Sequence, residues 1–388
     1  MKCDVLIVGA GFSGLVMAER LSNVLGKHCI VVDKRQHIGG NAYDYYDAAG
    51  VLVHKYGPHY FHTNSEKILK YLSQFTEWQS YFHVARSFSD GKLWSFPVSL
   101  VTFEQMLGRP STTEEMEQYL SSHRERIDHP ANLEESLLSK VGWELYTKFY
   151  KGYTTKQWGR DPKDLAPSVC SRIPVRTTRN ENYSEEKFQC IPVKGYTKMF
   201  EEMLRQSPRV QVFLDQDYKT LQCEYDHLVY TGPIDEFFDY AHGPLLYRSL
   251  RFEHESFGPE SLKDGFWQGS AQVNYPNSEE FTRIIEMKHS TKQVCENSTI
   301  VREYPETVFG REPYYPVPAP DTDLAYAHYK VMADKRKDVT FVGRLATYRY
   351  YSMDQVVGAS LSTFERLRRN LDESSNGGGN TSRDHKTE

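Results

Sequence analysis

The chain has 388 residues, a formal net charge of −5 and a pI near 6.3. That length exceeds what one hydrophobic core serves, so two or three domains are expected, and the dispersed Lys and Arg argue against a nucleic-acid partner. The uncharged run from Val5 to Ala18 is too short to span a bilayer and has no basic leader before it, so a soluble cytoplasmic enzyme without a membrane partner is the simplest expectation.

The first elements read clearly. "CDVLIVGAG" predicts a buried strand entering a glycine turn, "FSGLVMAERLSNVL" a helix and "HCIVVDKR" a second strand, together a βαβ unit. Gly9, Gly11 and Gly14, with Phe12 and Ser13 between, match GxGxxG. The first glycine permits the tight turn, the second lets a pyrophosphate approach the backbone, and the third lets helix and strand pack closely. Asp33 ends the next strand, where a carboxylate accepts ribose hydroxyls. A second pair, Gly39 and Gly40 in "IGGN", follows. That favours FAD over NAD, whose domains run on into another helix.

From about Thr113 to Tyr150 the pattern is helical, with Leu133, Leu137, Val141, Leu145 and Phe149 on one stripe and a capping-box signal at Asn132 and Glu135. After Asp161 the chain reads as irregular up to about Glu186. "VQVFLDQDY" and "HLVYTGP" return to strand. From about Leu250 to Glu303 short strand-like runs predict an antiparallel sheet. "DVTFVGR" is a further strand, and "DQVVGASLSTFERLRRNL" a helix packed by Val356, Ala359, Ser360, Phe364 and Leu367. The polar, glycine-rich end, 373–388, reads as a disordered tail.

The expected architecture is α/β: a discontinuous Rossmann-like FAD-binding domain (1–77, 188–240, 318–372). An inserted helical domain takes 95–165, and an antiparallel β-sheet domain takes 78–94, 166–187 and 241–317. The six cysteines, Cys3, Cys29, Cys170, Cys190, Cys223 and Cys295, show no metal-ligand spacing, so reduced thiols and no metal are expected. Cys3 and Cys29 read as small buried hydrophobes.

The motifs "KYGPHYFHT" (55–63), "YKGYTTKQWG" (150–159), "SRIPVR" (171–176), "ENYSEEKFQCIPVKGYTKM" (181–199), "VYTGPIDEFF" (229–238), "FTRIIEMKH" (281–289), "VREYP" (301–305), "EPYYPVP" (312–318) and "FVGRLATYRYYSMDQ" (341–355) are ordered along nearly the whole chain. Together they resemble the bacterial UDP-galactopyranose mutase family. The resemblance implies a redox-neutral exchange of the pyranose and furanose forms of a nucleotide-linked galactose. Reduced FAD, charged by NAD(P)H or another reductant, attacks the anomeric carbon through N5, and UDP leaves and returns. A homodimer is implied.

A departing diphosphate calls for arginine forks. The resemblance assigns Arg172 and Arg283 to it, with Arg248 less directly on the substrate side. Tyr183, Tyr315 and Tyr350 would hydrogen-bond the diphosphate. Phe149 and Tyr153 would line the uracil pocket, although Phe149 also fits a pure core role. Trp158 would lie near the sugar, and Asn182 and Asn274 are polar contacts or ordinary loop residues. His62 would lie against the flavin ring, where it responds to the charge of the reduced form. Lys34, Asn41, His59, Gly343, Arg344, Tyr350, Met353 and Asp354 complete the cofactor set, and a mobile loop from about 160 to 182 would carry Arg172 over the substrate.

One position departs. Ser352 stands where family members commonly carry Asp or Asn, which leaves the sugar open: UDP-N-acetylgalactosamine and dTDP-deoxysugars are alternatives. A net FAD oxidoreductase on the same scaffold is the runner-up, although amine substrates need no diphosphate clamp.

Overall fold

A computed structural model describes residues 1–170, 173–306 and 312–377 of the chain, with 371–377 given by backbone alone. β1 (Lys2–Val8), α1 (Phe12–Leu25) and β2 (Cys29–Val32) form the expected βαβ unit, with the two strands parallel. Cys29 and Val31 enter the core beneath α1, while Ile30 and Val32 enter a second core on the opposite face. Burial on both faces is why these runs carry almost no polar residues. The helix passes so close to β1 that a β-carbon on Gly14 would stand 1.9 Å from the Gly9 carbonyl oxygen.

Beyond β2 the chain leaves this sheet. β3 (Asp44–Tyr46) and β4 (Leu52–His54) make a hairpin, followed by β5 (Phe61–Thr63), α2 (Glu66–Leu72) and β6 (Trp78–Ser80). β7 (Ala85–Ser89) and β8 (Lys92–Phe96) form a second hairpin. Then come α3 (Leu100–Leu107), α4 (Thr113–His123), α5 (Leu133–Leu145), a π-helical turn at Tyr146–Lys151, and α6 (Gly152–Trp158).

The helical stretch expected from Thr113 to Tyr150 is therefore broken. Gly142 has φ 72°, and a β-carbon there would meet the His123 carbonyl oxygen at 2.3 Å. The end of α4 presses on α5 at the one residue that yields. The stripe itself is right: Leu133, Leu137, Val141, Leu145 and Phe149 are all buried. The cap is shifted by one residue. Asn132 Oδ1 accepts from the Glu135 amide (2.9 Å), but the Glu135 carboxylate reaches the Ala131 amide (2.7 Å), one position before the capping residue.

β9 (Phe188–Pro192) and α7 (Tyr196–Arg205) lead into β10 (Val210–Phe213), β11 (Glu224–Tyr230) and α8 (Ile234–Phe237). Asp44 caps α7, accepting from the amides of Tyr196 (2.6 Å) and Thr197 (2.8 Å). The cap fixes Phe200, which packs edge-on against Phe12 at 4.8 Å and so steadies the first turn of α1. The remaining elements are β12 (Tyr247–Phe257), β13 (Gln272–Asn274), β14 (Arg283–Glu286), α9 (Lys288–Thr291), β15 (Ser298–Glu306), β16 (Tyr315–Pro316), α10 (Pro320–Lys335), β17 (Val339–Phe341) and α11 (Met353–Gly377).

Among the described residues the parallel sheet runs β10-β2-β1-β11-β17, so its strands come from three separated stretches of chain. The second sheet runs β16-β12-β15-β14-β13-β7-β8 and is antiparallel except where β13 meets β7. Two boundaries move. β6, assigned above to the large sheet, pairs with β9 beside β5 in a small sheet of its own. Ser95 and Phe96, assigned to the helical part, still pair within β8. α11 continues to Gly377, past the expected start of the tail at 373; the rest of that tail lies outside the described residues. Its packing is close to that expected, except that Val357 is fully buried and Ala359 only half-buried.

Gly14→Ala should lower stability by about 1–3 kcal/mol, the usual range for overpacking a filled site, and this should appear as a lower urea midpoint. An unchanged midpoint would mean that α1 can retreat from β1 without loss.

Candidate active site

In an open parallel sheet the crevice lies outside the carboxyl ends of the strands where the winding reverses. Here the order reverses between β1 and β11, and a cavity of about 860 Å³ opens there, lined by Val8, Val32 and Tyr230 at the strand ends. Its floor is backbone. Gly9 has φ 103°, and a β-carbon on it would meet Thr231 Oγ1 at 2.1 Å. Gly11 and Gly40 face each other so closely that a β-carbon on Gly40 would stand 2.9 Å from the Gly11 Cα. The Gly39 amide donates to the Ala10 carbonyl at 2.8 Å. The two glycine motifs thus lock together into one cradle.

Asp33 has a second duty. It accepts from the amides of Ala10 (2.7 Å) and Arg35 (2.9 Å), which stiffens the turn, while its remaining lone pairs are on the cavity wall. Phe12, Ser13, Lys34, Asn41, His59, Gly343, Arg344 and Met353 also line the cavity. Asn41 accepts from Arg35 Nη2 (2.8 Å), and Lys34 pairs with Glu236 (2.5 Å). Arg344 donates to the carbonyls of Tyr351 (2.6 Å) and Tyr314 (3.3 Å). Burial pushes the His59 imidazole down to about 3, so it is neutral at ordinary pH. Thr231, Arg35 and Tyr314 belong to this wall and are absent from the expected set. Thr231 was legible in part, as a Thr-Gly closing a strand. Arg35 was hidden, because its place depends on Glu312 and on the Tyr56 ring 4.2 Å away.

His62 does not line this cavity. It lies on β5, with Nδ1 3.0 Å from Glu186 Oε1 but off the line of a hydrogen bond. The imidazole holds the Glu186 carboxyl down at about 2.

The second part of the site is set by strand register. β14 and β15 place Arg283 beside Glu303, and β13 places Asn274 beside Arg283. Arg283 donates through Nε (3.0 Å) and Nη2 (2.7 Å) to one oxygen of Glu303, which is wholly buried. Burial alone would lower the guanidinium's affinity for its proton, but the adjacent carboxylate outweighs it and holds the group above its ordinary value. Asn274 accepts from Gln272 Nε2 at 2.8 Å.

Arg283 sits in a nest of phenols. Burial pushes Tyr153 up to about 12 and raises Tyr183 further, each partly offset by Arg283. Burial also raises Tyr315, within the fields of Tyr153 and Tyr350. Trp158, Tyr315 and Tyr350 form a triangle of edge contacts at 5.3–5.5 Å, and the Tyr315 hydroxyl accepts from Gln157. Arg344 stands 5.8 Å from the Tyr350 ring, so this nest joins the cofactor cavity.

Three expected residues have packing or hydrogen-bonding duties of their own. Phe149 packs between Trp94 and Phe96 in the helical core, the reading its stripe position left open. Arg248 is buried, and its guanidinium binds the Gln157 (2.8 Å) and Lys156 (3.0 Å) carbonyls at the end of α6. Asn182 meets Val84 in a backbone bridge, and its carbonyl accepts from Arg176. Arg172 lies outside the described residues; the rest of the expected loop, 160–170 and 173–182, is described and holds two short 3-10 turns, Pro162–Asp164 and Pro167–Cys170.

Ser352 proves to be a helix cap. Its carbonyl accepts the first i→i+4 bond of α11, from Val356 (3.0 Å), and its amide donates to Gln355 Oε1 (3.1 Å). Its hydroxyl binds Asp354, which in turn accepts from the Gln355 amide (2.8 Å). Asp354 therefore secures the first turn of α11, and Met353 beside it faces the cavity. The hydroxyl acts here as a donor to Asp354, a role an Asn amide can also fill but an ionised Asp cannot.

A Rossmann-type sheet with a glycine cradle at its reversal point is a dinucleotide-binding fold, here beside a cationic, tyrosine-lined cleft. Residues 7–75 match the NAD(P)-binding Rossmann-like domain, and residues 148–350 match the UDP-galactopyranose mutase model. A probable UDP-galactopyranose mutase of Klebsiella pneumoniae is 37% identical over 94% of both chains. A dTDP-fucopyranose mutase of Escherichia coli is 36% identical over 90% of this chain and 94% of its own. The crystal structure of a reduced UDP-galactopyranose mutase superposes with a TM-score of 0.73 at 15% identity, covering 97% of this chain and 98% of that one. A putrescine oxidase shares the fold at a TM-score of 0.58. The chain belongs to the UDP-galactopyranose mutase family, and so to the isomerases. Among the described residues no helix is long and apolar enough to cross a membrane.

Ser352→Ala should weaken the start of α11 by about 1 kcal/mol, whereas Ser352→Asn should retain wild-type stability. Thermal unfolding of the two variants distinguishes a cap from a group whose role is confined to the sugar.

Proposed function

We propose that the protein interconverts the pyranose and furanose forms of UDP-galactose with FAD as its cofactor, active in the reduced state and recharged by NAD(P)H or another reductant. The observation that carries this is Arg283, held by buried Glu303 and facing Tyr153 and Tyr183, with Tyr315 and Tyr350 adjoining them next to the glycine cradle. Such a cluster suits a diphosphate, which must be bound before, during and after it leaves the sugar.

The cradle fits FAD because Gly9, Gly11 and Gly40 leave backbone where any side chain would intrude. Gly9, Gly11, Phe12, Ser13, Gly14, Gly39 and Gly40 would hold its pyrophosphate, Asp33 its ribose. Lys34, Asn41, His59, Gly343, Arg344, Met353 and Asp354 would complete the enclosure. The reduced cofactor supplies the nucleophile for the anomeric carbon. The chain does the rest. Arg283, with Arg172, neutralises the phosphates. The phenols of Tyr153, Tyr183 and Tyr315, their proton affinities raised by burial, stay protonated and, with Tyr350, donate hydrogen bonds. Trp158 and Tyr350 shield the sugar end from water. His62, beside Glu186 on β5, would respond to the cofactor's redox charge. Asn182, Asn274 and Arg248 support the substrate side, and Phe149 backs the uracil pocket from the core. We place the enzyme in the cytoplasm as a homodimer.

A second reading is the same chemistry on a dTDP-deoxysugar, favoured by the E. coli dTDP-fucopyranose mutase, whose identity to this chain is nearly that of the Klebsiella protein. UDP-N-acetylgalactosamine is a third substrate to include. Protein reduced with dithionite and given UDP-galactofuranose should form UDP-galactopyranose, separable by chromatography, while the oxidised protein should not. Conversion of dTDP-fucofuranose alone would establish the second reading, and stoichiometric consumption of NADH or oxygen would establish a net oxidoreductase. Arg283→Lys keeps a charge beside Glu303 but loses the fork. It should retain the cofactor and lose about 100-fold or more in kcat/KM. Wild-type kinetics in that variant would remove Arg283 from the diphosphate site.

A further inference from the structure

α6 carries Tyr153 and Trp158, whereas Arg283 begins a strand of the large sheet. Nothing covalent nearby fixes the distance between them. Two contacts do. Arg248 reaches from β12 to the carbonyls of Lys156 and Gln157 at the end of α6. In the opposite sense, the Lys156 ammonium reaches from α6 into the β13–β14 loop. There it donates to the carbonyls of Tyr275, Glu279 (2.8 Å) and Phe281 (3.1 Å). Those are all three protons of an ammonium, spent on the backbone of one loop. That loop ends two residues before Arg283. It also fits closely against the start of α6: a β-carbon on Gly152 would stand 2.4 Å from the Pro276 carbonyl oxygen, and Asn277 Nδ2 donates to the Lys148 carbonyl at 3.1 Å.

We infer that Lys156 is a positioning residue for the diphosphate site: its ammonium clamps the 275–281 loop to α6 and so sets the spacing of Arg283 from Tyr153 and Trp158. This rests on the nucleotide-sugar reading above. A hydrophobic residue would cover the same surface without desolvating a charge. The three carbonyl contacts give the charge a use that burial alone does not, and burial already presses the amine down to about 8.

The test measures binding of UDP and of dTDP to the FAD-loaded protein by titration calorimetry, with the flavin absorbance and urea midpoint recorded for each variant. Lys156→Met keeps the stem and removes the ammonium; Lys156→Gln is the milder change and serves if the first does not fold. Either should weaken UDP roughly tenfold, as coupled neighbours do, and raise KM more than it lowers kcat, with flavin retained. In an Arg283→Lys background the same change should add little, because Lys156 acts through Arg283. Wild-type UDP affinity in both Lys156 variants, or a full tenfold loss repeated in the Arg283→Lys background, would overturn the inference. Wild-type protein that binds neither nucleotide would instead overturn the nucleotide-sugar reading.

Discussion

Everything in the cofactor half depends on backbones meeting without side chains between them. Gly14 lies against Gly9, Gly9 against Thr231, and Gly40 against Gly11. Each approach removes a gap that a β-carbon would otherwise hold open, and together they bring the β1 turn, the Gly39–Gly40 loop and the end of β11 into one surface. Peptide amides and the start of α1 are the groups left facing the cavity. An anion is drawn to them without any charged side chain.

The substrate half is built on the opposite device, buried charge. Glu303 is wholly buried and accepts from Arg283 through one oxygen; among the described residues the other, Oε1, has no hydrogen-bond partner. Removing either partner alone would strand a charge away from water, so the pair is held rigidly. Arg248 follows a similar rule against the carbonyl end of α6, where the helix dipole is negative. These pairs hold the cleft's cations in place before substrate arrives. On the reading proposed above, stabilisation of a leaving diphosphate would require little reorganisation at the moment of reaction.

The two halves meet at Tyr350 and Arg344, on the stretch that runs from β17 into α11. This is why the helix cap at Ser352 matters: it fixes the last turn before Met353 enters the cofactor wall. Ser352, the one departure from the family resemblance, is here explained first by local geometry.

The sequence by itself determined the βαβ unit, the cradle glycines, Asp33 and the buried stripe of α5. Each of these follows from short-range rules: the period of the apolar residues, the spacing of glycines and the chemistry of a strand end. It also determined the family, because many unusual motifs occur in order. What only the tertiary structure decided involves residues distant in the chain. The break at Gly142 depends on the end of α4 pressing there. Arg35 joins the cavity through Tyr56 and Glu312, β6 leaves the large sheet for β9, and Phe149 turns into the core. His62 meets Glu186 across more than a hundred residues. Pairing across strands and between loops has no local signature, since the residues that select each partner are brought together only when the whole chain has packed.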